Sequence, residues 1–282
     1  MKKIIVTGCN GQLGKAVNVK YANNSDLELI NTDVAELDIT NIDDVMKMVR
    51  EVKPYAVINC AAHTAVDKCE TDIDNAYKIN AIGPRNLSIA ATETGAKMIH
   101  ISTDYVFDGN AVKPYIEFDR PNPQGVYGRT KLAGENFVKV FSDKHFIIRT
   151  AWLYGDGKNF VKTMLKLAES HEEVNVVGDQ TGSPTSTEVL ADIIDNLLFT
   201  DNYGVFHGTC EGMCSWADFA EEIFRLAGKH VKVNHITTEE YPTPTKRPAY
   251  SVLENYMLKL TSGYVAKEWK SAIKSYIDTY IK

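Results

Sequence analysis

Over residues 1–150, short apolar, β-branched runs alternate with stretches of helical periodicity, and this alternation constrains the fold more than any other feature of the chain. Lys3–Thr7 reads as a strand ending in Gly8, and from Gln12 onward Leu13, Ala16, Val17 and Tyr21 share one side of a helix. The pattern continues with a strand at Leu27–Asn31, a helix at Ile42–Val52 capped by Thr40, a strand at Ala56–Cys60 and a long helix at Asp74–Thr94. A strand at Met98–Ser102, a helix at Val126–Phe141 and a strand at Phe146–Arg149 complete it. Strands alternating with helices imply right-handed crossovers into a parallel sheet, and near-continuous apolar strands demand cover on both faces. The expected architecture is α/β, a doubly wound parallel sheet of the Rossmann kind.

After residue 150 the rhythm loosens. Gly- and Pro-rich stretches at Gly178–Pro184 and Pro242–Pro248 are separated by helical patterns at Thr187–Leu198 and Ser215–Ala227. The expected division is a dinucleotide-binding domain over 1–150 and a smaller substrate-binding lobe over 151–282, some of whose segments return to the sheet. In open sheets of this type, ligands bind outside the carboxyl ends of the strands, where the strand order reverses.

The first strand-to-helix turn reads Gly8-Cys9-Asn10-Gly11-Gln12-Leu13-Gly14. Gly8 suits a tight turn, Gly11 lets the backbone approach a pyrophosphate without a Cβ clash, and Gly14 lets helix and strand pack closely. The helix N-terminus then offers unpaired N–H groups and a partial positive charge to the phosphates. The turn is read as the cradle of a nicotinamide dinucleotide. Asp33, about 20 residues farther on, is placed to accept hydrogen bonds from an adenosine ribose. A carboxylate there repels a 2′-phosphate, so NADH is favoured over NADPH. Asp38 and Ile39 either flank the adenine or simply open the next helical unit.

Composition narrows the partners. A chain of 282 residues with 44% hydrophobic residues has the material for a large core without metal or disulfide staples. Its net charge of −6 and the lack of a concentrated basic face argue against a nucleic-acid partner and for a small molecule. The five cysteines, Cys9, Cys60, Cys69, Cys210 and Cys214, form no C-x-x-C pair, so neither a disulfide framework nor a zinc site is expected. The N-terminal residues run straight into the glycine turn, leaving no apolar stretch for a signal peptide or membrane span. A cytoplasmic protein is the expectation.

Thr103, Tyr127 and Lys131 are the candidate catalytic residues. Tyr127 and Lys131 are four apart, so on a helix they share a face. An ammonium close to the phenol would stabilise phenolate, lower the tyrosine pKa and make Tyr127 a proton donor to a carbonyl undergoing reduction. Thr103, at the end of the fourth strand, is placed to hold the same carbonyl oxygen, and Lys131 to hold a nicotinamide ribose. Tyr154 and Lys158 have the same spacing, but the two glycines between them argue against a shared helical face.

Longer runs accompany these residues: Asn59-Cys60-Ala61-Ala62-His63-Thr64-Ala65-Val66-Asp67, Ser102-Thr103-Asp104-Tyr105-Val106-Phe107-Asp108-Gly109 and Arg149-Thr150-Ala151-Trp152-Leu153-Tyr154-Gly155. Asp179-Gln180-Thr181-Gly182-Ser183-Pro184-Thr185 and Arg247-Pro248-Ala249-Tyr250-Ser251-Val252-Leu253 follow. With the glycine turn, they resemble the extended short-chain dehydrogenases and, more narrowly, the dTDP-4-dehydrorhamnose reductases, over nearly the whole chain. The resemblance implies hydride transfer from NAD(P)H to C4 of dTDP-4-dehydro-L-rhamnose, giving dTDP-L-rhamnose for cell-surface polysaccharides. It also implies that Asn10, Gly11, Gln12 and Leu13 line the pyrophosphate, Asp38 and Ile39 the adenosine, and Ala61, Ala62 and Thr64 the middle of the cofactor. Thr103 and Asp104 would touch the sugar, Trp152 would be an aromatic platform for its ring, and Arg247 would meet the anionic nucleotide end.

Some relatives form magnesium-assisted dimers through acidic surface residues. No such patch stands out in this sequence, so no metal is expected and a homodimer is left open. Dehydratases on the same fold carry Thr-Asp-Glu where this chain has Thr103-Asp104-Tyr105, which argues for simple reduction. Two alternatives stay open: a reductase of another nucleotide-linked 4-keto-6-deoxysugar, which would keep nearly all these motifs, and a non-catalytic regulatory subunit. Loss of Tyr127 or Lys131 would favour the latter, and both are present.

Overall fold

The computed structural model describes residues 1–281. Strands and helices alternate as far as residue 150: β1 (Lys2–Thr7), α1 (Gln12–Tyr21), β2 (Leu27–Thr32), α2 (Ile42–Val52), β3 (Ala56–Asn59), α3 (Val66–Cys69), α4 (Ile73–Tyr77), α5 (Gly83–Thr94), β4 (Lys97–Thr103), α6 (Val126–Phe141) and β5 (His145–Thr150). Then come β6 (Leu153–Tyr154), α7 (Phe160–Leu167), β7 (Glu173–Val177), β8 (Thr181–Gly182), β9 (Thr185–Ser186), α8 (Thr187–Leu198) and β10 (Gly204–His207). The chain continues through β11 (Cys214–Ser215), α9 (Trp216–Ala227), β12 (Lys232–Ile236), α10 (Tyr256–Ser262) and α11 (Trp269–Tyr280).

Six parallel strands make the central sheet, in the order β10-β5-β4-β3-β1-β2. Successive residues of a strand point to opposite faces, and here both faces are covered. Ile4, Val6, Ile58 and Ile99 enter one cluster with Leu13 and Val17 of α1 and Leu190 and Ile194 of α8. Ile5, Val57, Met98 and Ile147 enter a second with Val45 and Val49 of α2, Leu87 of α5 and Val138 of α6. That double burial is why these strands read as continuous apolar runs. The sheet is thus doubly wound, and β10, from beyond residue 150, supplies its edge beside β5, from Gly204 opposite Phe146 to His207 opposite Arg149. The remaining strands form small pairs, β7 with β12, β6 with β9 and β8 with β11, under which α7, α9 and α11 extend the first cluster.

Two local expectations are corrected. Asn41, not Thr40, caps α2: its Oδ1 accepts the N–H groups of Asp43 at 3.0 Å and Asp44 at 3.4 Å, whereas the Thr40 hydroxyl donates to Asp38 at 2.8 Å. Only the residue bordering the first turn reaches those amides. The helix expected over Asp74–Thr94 starts at Ile73 and is interrupted by a wide π turn at Lys78–Ile82. There Asn80 faces inward, its Nδ2 donating to the His63 carbonyl and the Thr130 hydroxyl, both at 3.1 Å, and its Oδ1 accepting the His63 N–H at 2.8 Å. The turn thereby fastens the loop after β3 to α6. Gly134 of α6 makes the close approach possible, since a Cβ there would lie 2.2 Å from the Asn80 carbonyl oxygen.

Candidate active site

The strand order reverses at β1, with β2 on one side and β3 on the other, so the crossovers diverge and leave a crevice beyond the ends of β1 and β3. Gly8 turns the chain there with φ +63°, and a Cβ on it would lie 2.7 Å from the Ala61 backbone nitrogen. A Cβ on Gly14 would lie 2.4 Å from the Gly8 carbonyl oxygen and 2.6 Å from the Cys9 Cα. These are backbone contacts that cannot yield, so the two glycines are dictated by the packing of turn, helix and neighbouring strand. Gly11 precedes α1 without any side-chain cap, which leaves the first-turn N–H groups open to an anion.

Two adjoining cavities open over this turn. One, of about 480 Å³, is lined by Gly11, Gln12, Leu13, Ala61, Ala62, Thr64, Thr103, Asp104, Tyr127, Lys131 and Trp152. The other, of about 280 Å³, is lined by Gly8, Gly11, Asp33, Asp38, Ile39, Ala61 and Ala62. The shared wall of Gly11, Ala61 and Ala62 suits a ligand with two halves joined by a pyrophosphate. In the smaller cavity Asp33 accepts the Asn10 N–H at 3.2 Å, which ties the carboxylate to the glycine turn, and Asp38 accepts the Thr40 N–H at 2.9 Å. Ile39 is both wall and core, only 5% exposed. Asn10 and Gly14 shape the turn without lining either cavity.

In the larger cavity, β4 delivers Thr103, the short turn after it Asp104, and α6 Tyr127 and Lys131. The Thr103 hydroxyl donates to Asp104 Oδ1 at 2.8 Å and also accepts the Tyr105 N–H at 3.2 Å. Burial pushes the Asp104 carboxyl up to about 6, with the Ser251 and Thr103 hydroxyls opposing the shift. The Tyr105 ring stands edge-on to Tyr127 at 5.5 Å. Tyr127 and Lys131 do share a face, but the net shift of the phenol runs opposite to the expected one. Burial, and then the Asp104 charge, push the Tyr127 phenol well above its usual range, with the Thr103 hydroxyl opposing them. The Lys131 ammonium instead donates to the Ile101 carbonyl at 2.6 Å, and burial lowers its pKa to about 8. Phenol and ammonium are thus both present, each held in its proton-bearing form near neutral pH.

Beneath them lies a buried ion pair that the sequence did not reveal. Arg149 Nε and Nη2 donate to Glu135 Oε1 and Oε2 at 2.9 and 2.7 Å, and the Ser102 hydroxyl donates to the same carboxylate at 2.6 Å. Burial alone would raise the Glu135 pKa, but the Arg149 guanidinium overrides it and holds the carboxylate ionised. The network bolts α6, which carries Tyr127 and Lys131, to β4 and β5.

Two further placements differ from expectation. Trp152 lines the cavity, but one side of its indole lies flat on Trp216, with ring centroids 3.5 Å apart and planes 5° from parallel. Gly182 closes on the same ring, since a Cβ there would be 2.4 Å from it. Trp152 holds φ +49°, a left-handed conformation uncommon for a bulky residue, and this packing fixes it. It is part of a layered wall rather than an open platform. Trp216 had one local signal, its place directly after Ser215, which with Asp218 forms the capping box of α9. Arg247 stands outside the larger cavity. Its Nη2 donates to Asp67 at 2.6 Å and its Nη1 to the Tyr105 hydroxyl at 3.0 Å, so the fork braces the wall behind Tyr127. Tyr154 is buried against Phe219 and Tyr276, while Lys158 lines the cavity, so the pair shares no face.

Among the described residues one group of metal-ligating side chains stands together, Asp218, Glu221 and His235; it is exposed and does not line the cleft. No described helix is long and apolar enough to cross a membrane.

Comparison with known proteins identifies the family. The chain is 59% identical to a dTDP-4-dehydrorhamnose reductase of Clostridium acetobutylicum of known crystal structure, with a TM-score of 0.96 over 98% of each chain. It is 43% identical to that of Bacillus anthracis solved in complex with NADP, with a TM-score of 0.96 over 98% of this chain and 99% of that one. The spore coat polysaccharide biosynthesis protein SpsK of Bacillus subtilis is 40% identical, over 99% of this chain and 98% of its own. A family model, RmlD substrate binding domain, matches residues 1–282 from end to end, and the chain belongs to that family.

Proposed function

We propose that this chain reduces the C4 keto group of dTDP-4-dehydro-L-rhamnose to dTDP-L-rhamnose with NAD(P)H, in the making of dTDP-rhamnose. The observation that carries the reading is the convergence of Thr103, Asp104, Tyr127 and Lys131 on one cavity whose floor is the glycine turn. The same assignment is the one printed for the Clostridium and Bacillus anthracis relatives. A bound nicotinamide supplies the hydride. Tyr127, kept protonated by burial, gives its proton to the carbonyl oxygen, and the Thr103 hydroxyl holds that oxygen. The Lys131 ammonium, in the same buried pocket, stabilises the negative charge left on the phenol oxygen, and its remaining N–H donors are free for a ribose. Asp104, on the wall of the same cavity, accepts from a sugar hydroxyl.

Asp33, on the wall of the smaller cavity, disfavours a 2′-phosphate and so favours NADH. A cytoplasmic setting belongs to the same reading, since all five cysteines are free. A homodimer is the assembly to look for, by light scattering.

The test is steady-state oxidation of NADH and of NADPH with dTDP-4-dehydro-L-rhamnose, beside GDP- and UDP-linked 4-keto sugars. Turnover confined to a GDP-sugar would overturn the substrate assignment. Tyr127→Phe should lower kcat by about 10²–10⁴-fold with little change in cofactor affinity, because only the transferred proton is lost.

A further inference from the structure

A nucleotide sugar and a dinucleotide each bring a diphosphate to this cleft, and a diphosphate enters a partly dry site only against positive charge. Two cations line the larger cavity, Lys131 and Lys158. Lys131 is 2% exposed, with its ammonium held on the Ile101 carbonyl beneath the phenol. The fork of Arg247, expected at the anionic end, is engaged by Asp67 and Tyr105. Lys158 has no ion-pair or hydrogen-bond partner among the described residues.

The loop that carries Lys158 is fastened to the glycine turn. The Gly155 N–H and the Asn159 amide both donate to Gln12 Oε1, at 2.9 and 3.1 Å. Gly157, at φ +155°, presses on the same side chain, where a Cβ would lie 2.8 Å from Gln12 Cγ. The Tyr276 hydroxyl holds the Gly155 carbonyl at 2.8 Å. The nearest acid in sequence, Asp156, is already neutralised by Lys15 at 3.0 Å and Lys162 at 3.2 Å, so it does not draw the Lys158 ammonium away. Lys158 thus sets an unpaired charge on an anchored loop where the glycine turn meets the Trp152–Trp216 wall.

We infer that Lys158 is a diphosphate-binding residue of this cleft, meeting the diphosphate of the nucleotide sugar or that of the dinucleotide. The inference rests on the reductase reading for the first source and only on the dinucleotide cradle for the second. The test compares Lys158→Met, which keeps the aliphatic stem, with Lys158→Arg, which keeps the charge. Binding of dTDP, thymidine, NADH and NADPH is measured by calorimetry, and KM for the dTDP-sugar by steady-state kinetics.

If the sugar nucleotide is the source, Lys158→Met weakens dTDP and raises KM by about ten-fold or more, leaves thymidine unchanged and places the loss on KM rather than kcat. If the dinucleotide is the source, cofactor binding weakens by a similar factor. In either case Lys158→Arg recovers most of the loss, and added salt erodes the advantage of the charged side chain. All constants within about two-fold of wild type for Lys158→Met, or equal weakening of thymidine and dTDP, would overturn the inference. A wild-type protein that binds cofactor and dTDP but reduces no 4-keto sugar would refute the reductase reading alone, since the binding measurements still report on Lys158.

Discussion

Raising the pH should switch the site off through Lys131. An exposed lysine keeps its charge to about pH 10, but burial lowers the Lys131 pKa to about 8, with Glu135 opposing the shift. The charged form is the working one, because proton loss from Tyr127 leaves a negative oxygen in a pocket where burial and Asp104 already disfavour it. Activity is therefore full on the acid side of the lysine pKa and is lost as the pH rises through it. With a pKa of about 8, roughly nine-tenths of the molecules carry the ammonium at pH 7 and roughly one-tenth at pH 9, so kcat/KM should fall about ten-fold across that interval. The Tyr127 phenol, pushed well above its usual range, contributes no fall of its own there. The assay is the pH dependence of kcat/KM, followed through oxidation of the reduced nicotinamide, which reports groups of the free protein. Lys131→Met should be slow at every pH and lack the alkaline fall. A flat wild-type profile from about pH 7 to 9.5, or an alkaline fall that survives in Lys131→Met, would refute the assignment of the charge to this residue.

The scaffold beneath the site and the wall beside it make separate predictions. Glu135→Gln leaves the Arg149 guanidinium buried without a counter-charge, which should cost about 3–5 kcal/mol and lower Tm by roughly 5–8 °C in thermal unfolding at neutral pH. A loss below about 1 kcal/mol would show that the pair is not the brace of α6. Gly182→Ala puts a methyl 2.4 Å from an indole already stacked on Trp216, so Trp152 must shift. KM for the sugar nucleotide should rise several-fold while NADPH affinity stays at the wild-type value; an unchanged KM would remove Trp152 from sugar binding.

How far the sequence reaches depends on the range of the interactions involved. Gly8 and Gly14 were readable because the turn between β1 and α1 needs a positive φ at Gly8 and brings Gly14 against the Gly8 carbonyl, demands written within seven residues, whereas the approach of Gly8 to Ala61 was not. The strands at Ile4–Val6, Val57–Ile58 and Met98–Ile99 were readable because burial on both faces leaves an unbroken apolar run, and Tyr127 and Lys131 because a helix repeats its face every fourth residue. Asn80 illustrates the opposite case, as nothing near it in the chain announces that it will hold His63 and Thr130 through a π turn. The two-residue strands β6, β8, β9 and β11 have no period at all and exist only through their partners.

The sequence by itself determined the doubly wound sheet and the glycine turn and offered Thr103, Tyr127 and Lys131 as candidates for the chemistry, since periodicity and spacing are written locally. Tertiary structure alone decided what those residues do to one another. It put the Lys131 ammonium on a β4 carbonyl rather than on the phenol, laid Trp152 against Trp216, and engaged Arg247 with Asp67 while leaving Lys158 free. Charge state, stacking and pairing depend on which distant segments arrive at a point and how much water they exclude, and no local pattern records that.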